Sequence, residues 1–142
     1  VVGYFKLIAL IEKSIDIPLY HGKLVLIISD SVQEIQGRIP DFDAEKVYAH
    51  AHPFSFNEDN LAGYAVILNM KDPEDKITHG AIAHEALHIA NMVAKDRGFI
   101  ADFNNDEPVA YLMTWVVDRV YAWLLEIKDE KEDEDYANVY SS

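Results

Sequence analysis

Residues 78–98 read Thr78-His79-Gly80-Ala81-Ile82-Ala83-His84-Glu85-Ala86-Leu87-His88-Ile89-Ala90-Asn91-Met92-Val93-Ala94-Lys95-Asp96-Arg97-Gly98. Thr78 suits a helix N-cap and Gly98 suits the residue just past a helix end. Between them Ile82, Ala86, Ile89, Ala90 and Val93 recur at helical spacing, so the stretch predicts one amphipathic helix. A second helix is expected from Asn105-Asp106 onward. Pro108 falls in its first turn, where a missing N–H costs little. Val109, Leu112, Met113, Val116, Val117, Val120 and Leu124 carry its apolar face to about residue 126.

Upstream of Thr78 the pattern changes to that of strands. Residues 15–20 and 23–29 are β-rich runs on either side of His21-Gly22, which reads as a hairpin turn. Asp30 or Ser31 caps a short helix through Val32, Ile35 and Ile39, closed by Pro40. Residues 46–52 and 62–69 read as two more strands, with residues 52–60 as the loop between them. Residues 4–13 fit a strand or a short helix equally. Strands followed by two long helices predict an α+β domain over residues 1–125, a small and mainly antiparallel sheet packed on both helices.

The 142 residues leave room for one domain with a real core, not two. Twelve Lys and Arg against 25 Asp and Glu give a net charge of −13. That balance argues against nucleic acid and anionic membrane as partners. The chain has no cysteine, which removes disulfides, thiolate catalysis and Cys-based zinc sites. Residues 126–135 hold seven acids and two lysines, so residues 126–142 are expected to be a solvated acidic tail or helix extension. No run approaches the length of a membrane span. The apolar opening, residues 1–11, lacks a basic flank and a cleavage pattern and does not read as a signal peptide.

The first long helix contains His84-Glu85-Ala86-Leu87-His88, an H-E-x-x-H sequence. Residues four apart stand one turn along and about 40° around the axis, so both imidazoles can reach one ion. Glu85 lies about 60° from His88, close enough to touch a water on that ion without ligating it. Two neutral nitrogens for Zn²⁺ and one carboxylate for a water's proton are what a metal hydrolase needs. A third ligand is then required, and Glu107, in the first turn of the next helix, is the best candidate. A carboxylate there is also favoured by the helix dipole alone.

The joint spacing, His84-Glu85-x-x-His88 and then 18 residues to Glu107, resembles the gluzincin metallopeptidases. The run Asp106-Glu107-x-x-Ala110-Tyr111-Leu112 is similar to small zincin-like proteins of bacteria and their phages. The resemblance covers residues 78–118. It implies a minimal zincin-like fold, a zinc site of His84, His88 and Glu107, and hydrolysis of a peptide or protein substrate with Glu85 as general base. It also implies that residues 62–69 lie antiparallel to an extended peptide, as zincin edge strands do. The chain departs from the large aminopeptidases, whose further domains and Gly-x-Met-Glu-Asn motif it lacks. Two other readings stay open. One is a catalytically silent zincin-like module binding a phage or host protein, and the other is an acidic decoy of a basic host protein. The expected setting is cytoplasmic or virion-associated.

Tyr111, one turn after Glu107, could stabilise an oxyanion, or it could be a half-buried packing residue. Asp118, Asp102, Asp106 and Asn91 compete to receive the outer N–H of a ligating imidazole. His79 is about 140° from His84 around the helix and faces elsewhere. His50 and His52, two apart on a predicted strand, share a face and stand as alternative ligands. His21 belongs to a turn.

Overall fold

Two unbroken apolar runs, Leu24 to Ile28 and Tyr64 to Leu68, become the middle of a four-stranded sheet. The computed structural model describes residues 10–43, 45, 49–56, 61–72, 77–100 and 102–140. In chain order the elements are β1 (Ile11–Asp16), β2 (Lys23–Ser29), α1 (Val32–Arg38), β3 (Ala49–Phe56), β4 (Leu61–Asn69), α2 (His79–Arg97) and α3 (Glu107–Tyr140). The strands lie in the order β1-β2-β4-β3. The fold is α+β, as expected, but the sheet is mixed. β1 pairs antiparallel with β2, β3 antiparallel with β4, and the central pair β2 and β4 is parallel.

Burial on both faces explains why the two central strands lack polar alternation. Leu24, Leu26, Ile28, Tyr64, Val66 and Leu68 join the core beneath α2 and α3. Val25, Ile27, Ala65 and Ile67 meet Ile35 of α1, Ile39 and Phe42 on the other face. The result is three layers, with the long helices on one side and α1 on the other. Each fully buried Leu or Ile stabilises by about 1.5–3 kcal/mol. The polar exception at the end of β2 is satisfied: buried Ser29 accepts the Ser31 N–H at 3.0 Å, and its carbonyl accepts from Met70 at 2.8 Å.

Several boundaries move from their expected places. The first strand is Ile11–Asp16 and not residues 15–20, because the chain turns where Pro18 has no N–H to donate. The turn spans six residues, closed by Ile17 N–H donating to the Gly22 carbonyl at 3.0 Å. Leu19 and His21 take positive φ values of 69° and 58° within it, beside Gly22 at 92°. The strand expected at 46–52 is observed at Ala49–Phe56, running through Pro53, which an edge strand tolerates. Residues 46–48 and 57–60 of the expected strand and loop lie outside the described residues, as do residues 4–9 of the early segment. β4 is interior, so it cannot serve as the edge strand that the zincin resemblance implied.

Local signals place the helices well. Ser31 Oγ accepts from Glu34 N–H at 3.3 Å to start α1, and Thr78 Oγ1 accepts from Ala81 N–H at 3.1 Å to start α2. Gly98 closes α2 at φ +76°, a left-handed conformation that favours glycine. Removing the cap with Thr78→Ala is expected to cost about 1 kcal/mol, seen as a lower denaturant midpoint with an unchanged slope. α3 runs on past residue 126 to Tyr140, 34 residues and about 51 Å. Val109, Leu112, Val116, Val120, Trp123, Leu124 and Ile127 anchor its first part in the core. Beyond Ile127 the helix is supported along its own surface, by Lys128–Glu132 at 4.0 Å and Lys131–Glu134 at 3.8 Å. The acidic segment is therefore a helix extension. Among the described residues no helix is long and apolar enough to cross a membrane.

Candidate metal centre

α2 lies over the sheet with Ile82, Ala86, Ile89, Ala90 and Val93 buried. This orientation leaves His84 and His88 on the solvent side, one turn apart. Their Nε2 atoms are 3.1 Å apart and the ring planes are nearly perpendicular, at 73°. Two nitrogens on a tetrahedral zinc at about 2.0–2.1 Å would be about 3.3–3.4 Å apart. The pair thus spans two corners of such a site within a few tenths of an ångström. Without metal, one ring donates its N–H to the lone pair of the other.

Glu85, between them, is only 8% exposed. Its Oε1 lies 4.0 Å from His84 Nε2, and among the described residues the carboxylate has no hydrogen-bond partner. The stem of Glu85 is buried while its oxygens still reach solvent. Among the described residues no lysine or arginine pairs with it.

The rest of the expected ligand set is placed elsewhere. His79 packs edge-on against Tyr121 of α3, ring centroids 5.2 Å apart, so that side of α2 faces α3. His84 is about 140° around the helix from His79 and His88 about 180°, so both turn away from α3. On the remaining flank, Asp96 accepts from the Tyr64 hydroxyl of β4 at 2.6 Å. Glu107 begins α3 and lines a groove with Pro18, Tyr20, Tyr111 and Trp115. Among the described residues no three His, Asp or Glu side chains come together as a metal-holding group. The structure pairs His84 with His88, sets Glu85 at 4.0 Å from His84 alone, and does not bring Glu107 into a group with them. Tyr111 is 73% exposed in Glu107's groove, a position that does not serve the histidine pair.

The other histidines separate by the pleat of the sheet. Ala49 and Ala51 of β3 belong to the core beneath α2, so His50 and His52 point to the opposite face. There His50 lies against Phe42, and His52 Nε2 meets Asp41 Oδ1 at 3.2 Å. The sheet lies between them and α2, so they are not substitute ligands for the α2 pair. None of Asn91, Asp102, Asp106 and Asp118 hydrogen-bonds an α2 imidazole among the described residues. Asp102 instead accepts from Asn104 N–H at 2.8 Å within its own loop.

Sequence reasoning missed the Tyr64–Asp96 link, since it joins positions 32 residues apart. Burial, and then the hydrogen bond to Asp96, push the Tyr64 hydroxyl well above the ordinary tyrosine range. The sign follows. An unfolded tyrosine ionises near pH ~10, and the folded one resists, so this contribution is complete below that pH and is lost as the pH rises further. Tyr64→Phe is expected to flatten the alkaline fall in stability, measured by urea unfolding between about pH 8 and 11. Tyr121 carries a buried hydroxyl without a partner among the described residues, and its burial also raises it above the usual range.

Comparison with known proteins gave no match to a family model, to a curated protein or to a solved structure. The placement of Glu107 has a direct test. Glu107→Ala is expected to leave zinc affinity within about twofold of the native chain. Loss of even an outer-sphere partner of a metal costs about 10–100-fold, so a drop of that size would put Glu107 on the ion.

Proposed function

We propose that the HExxH face of α2 is a zinc site used to hydrolyse peptide bonds. The reading is supported above all by the 3.1 Å separation of His84 and His88 Nε2, with the Glu85 carboxylate 4.0 Å from His84 Nε2. His84 and His88 would supply two of the three protein ligands that a catalytic zinc takes, and their exposure leaves its remaining positions open to a further ligand, water and substrate. Bound zinc would supply Lewis acidity, polarising a scissile carbonyl and making a water acidic near neutral pH. Glu85 takes that proton at Oε1 and later passes it to the leaving amine. Its seat on the core side of the helix holds the carboxylate in one place while the imidazoles stay accessible. An extended peptide would add to β3, the edge strand under α2, where backbone pairing gives sequence-tolerant affinity.

Metal analysis of the purified chain is expected to find about one zinc per molecule. His84→Ala and His88→Ala should each lose it. Zinc retained by the double variant would sink the site, and absence of zinc from the native chain after saturation and desalting would do the same.

A further inference from the structure

We propose that a groove at the start of α3 docks a protein partner through an arginine flanked by apolar residues. The groove lies between the β1–β2 turn and the first turns of α3, and its volume of about 560 Å³ is within the range of sites that hold a ligand-sized group. Tyr20, Tyr111 and Trp115 give it aromatic walls, and Pro18 and Leu19 its lip. Leu19 is 91% exposed at a positive φ, an uncommon conformation for a leucine that gains the chain no packing. The apolar surface continues beyond the groove. Tyr20 stacks at 5.2 Å on Phe99, which leads into a loop where Ile100 and Phe103 stand in solvent.

Charge selects the occupant. Among the described residues Glu107 is the one charged residue lining the groove, and its carboxylate has no hydrogen-bond or ion-pair partner there. Exposed Asp102 and Asp106 precede it, and the chain as a whole carries −13. A carboxylate at the rim of an apolar, aromatic-lined groove favours a cation that is itself flat and weakly hydrated. Guanidinium stacks on tyrosine and tryptophan and pairs with a carboxylate through two parallel hydrogen bonds, which an ammonium cannot do. The exposed apolar lip then requires apolar neighbours on the incoming chain, and the net charge steers a basic partner toward it. Glu107, which the spacing offered to the metal, thus serves recognition at a separate place.

Trp115 is a built-in reporter, since Trp123 is buried in the core. The probes are acetyl-Leu-Leu-Arg-Leu-Leu amide, the same peptide with citrulline for arginine, and butylguanidinium. The arginine peptide is expected to shift Trp115 emission saturably and to bind less tightly as salt rises. Glu107→Gln should weaken it at least about tenfold, the size expected for losing a charge-assisted pair. Tyr111→Ala, at a position exposed enough to spare the fold, should weaken it severalfold. The His84→Ala/His88→Ala double variant should bind the peptide unchanged. Equal affinity for the citrulline peptide overturns the proposal, as does undiminished binding by Glu107→Gln. Butylguanidinium binding as tightly as the peptide would replace the protein partner with a free small cation. No shift at about 10 mM peptide, where even millimolar affinity registers, rejects the site outright.

Discussion

Replacing Glu85 with glutamine is expected to lower cleavage of an unstructured protein such as reduced, denatured casein by about 10²–10⁴-fold. The substitution keeps the size and most of the packing of the side chain and removes only its ability to take a proton. Glu85 is only 8% exposed and is not a ligand in the proposed site, so zinc should stay bound at its native stoichiometry. The combination is diagnostic. Activity lost with zinc retained identifies a proton acceptor, whereas activity lost with zinc assigns Glu85 to holding the metal. Undiminished cleavage by Glu85→Gln would remove the proposed mechanism altogether. Stability should be little changed, because the amide has nearly the same size and shape as the carboxylate. Thermal melting of the metal-free chain measures that directly.

Trp123→Ala is expected to destabilise the protein by about 3–5 kcal/mol. Trp123 is 3% exposed on α3 and belongs to the same core cluster as Ile89 and Val93 of α2 and Leu24 and Leu26 of β2. Removing the indole leaves a cavity in the core cluster that α2, α3 and the sheet share. Small domains are stable by only about 5–15 kcal/mol, so this one change takes a large share of the total. The midpoint of thermal unfolding, followed by circular dichroism, should fall by roughly 10–20 °C. A fall of less than about 3 °C would mean that α3 is not held through this ring. Because α2 packs in the same cluster, the variant should also loosen the zinc site. Glu85→Gln, by contrast, should leave the fold intact.

What could be read from the residues was what short-range geometry controls. The span of α2 follows from Thr78, Gly98 and the spacing of Ile82, Ala86, Ile89 and Val93, all within one stretch of chain. The histidine pair is legible for the same reason, since an i,i+4 relation on a helix already places two side chains together. The turn before β2 was misplaced because Pro18 outweighs the β-rich character of Ile15 and Ile17 and ends the ladder early. The end of α3 was set too early because its last turns bury nothing among the described side chains. Charge pairs along the helix surface, such as Lys128–Glu132, support them instead. The unbroken runs at residues 24–28 and 64–68 did carry a mark of two-sided burial, which parallel central strands show. The identity of the neighbouring strand was not in them.

By itself, then, the sequence determined an α+β chain, the start and end of α2, and two histidines one turn apart with a carboxylate between them. Each depends on contacts within a turn or two, where bond geometry and helical period leave few choices. Only the tertiary structure decided that β2 and β4 run parallel, that His50 and His52 lie across the sheet from α2, and that Glu107 opens onto the groove of Tyr111 and Trp115. Those outcomes depend on how α2 and α3 are rotated against each other and against the sheet. Burial of the whole apolar surface sets that rotation, and a spacing of 18 residues across a loop does not encode it.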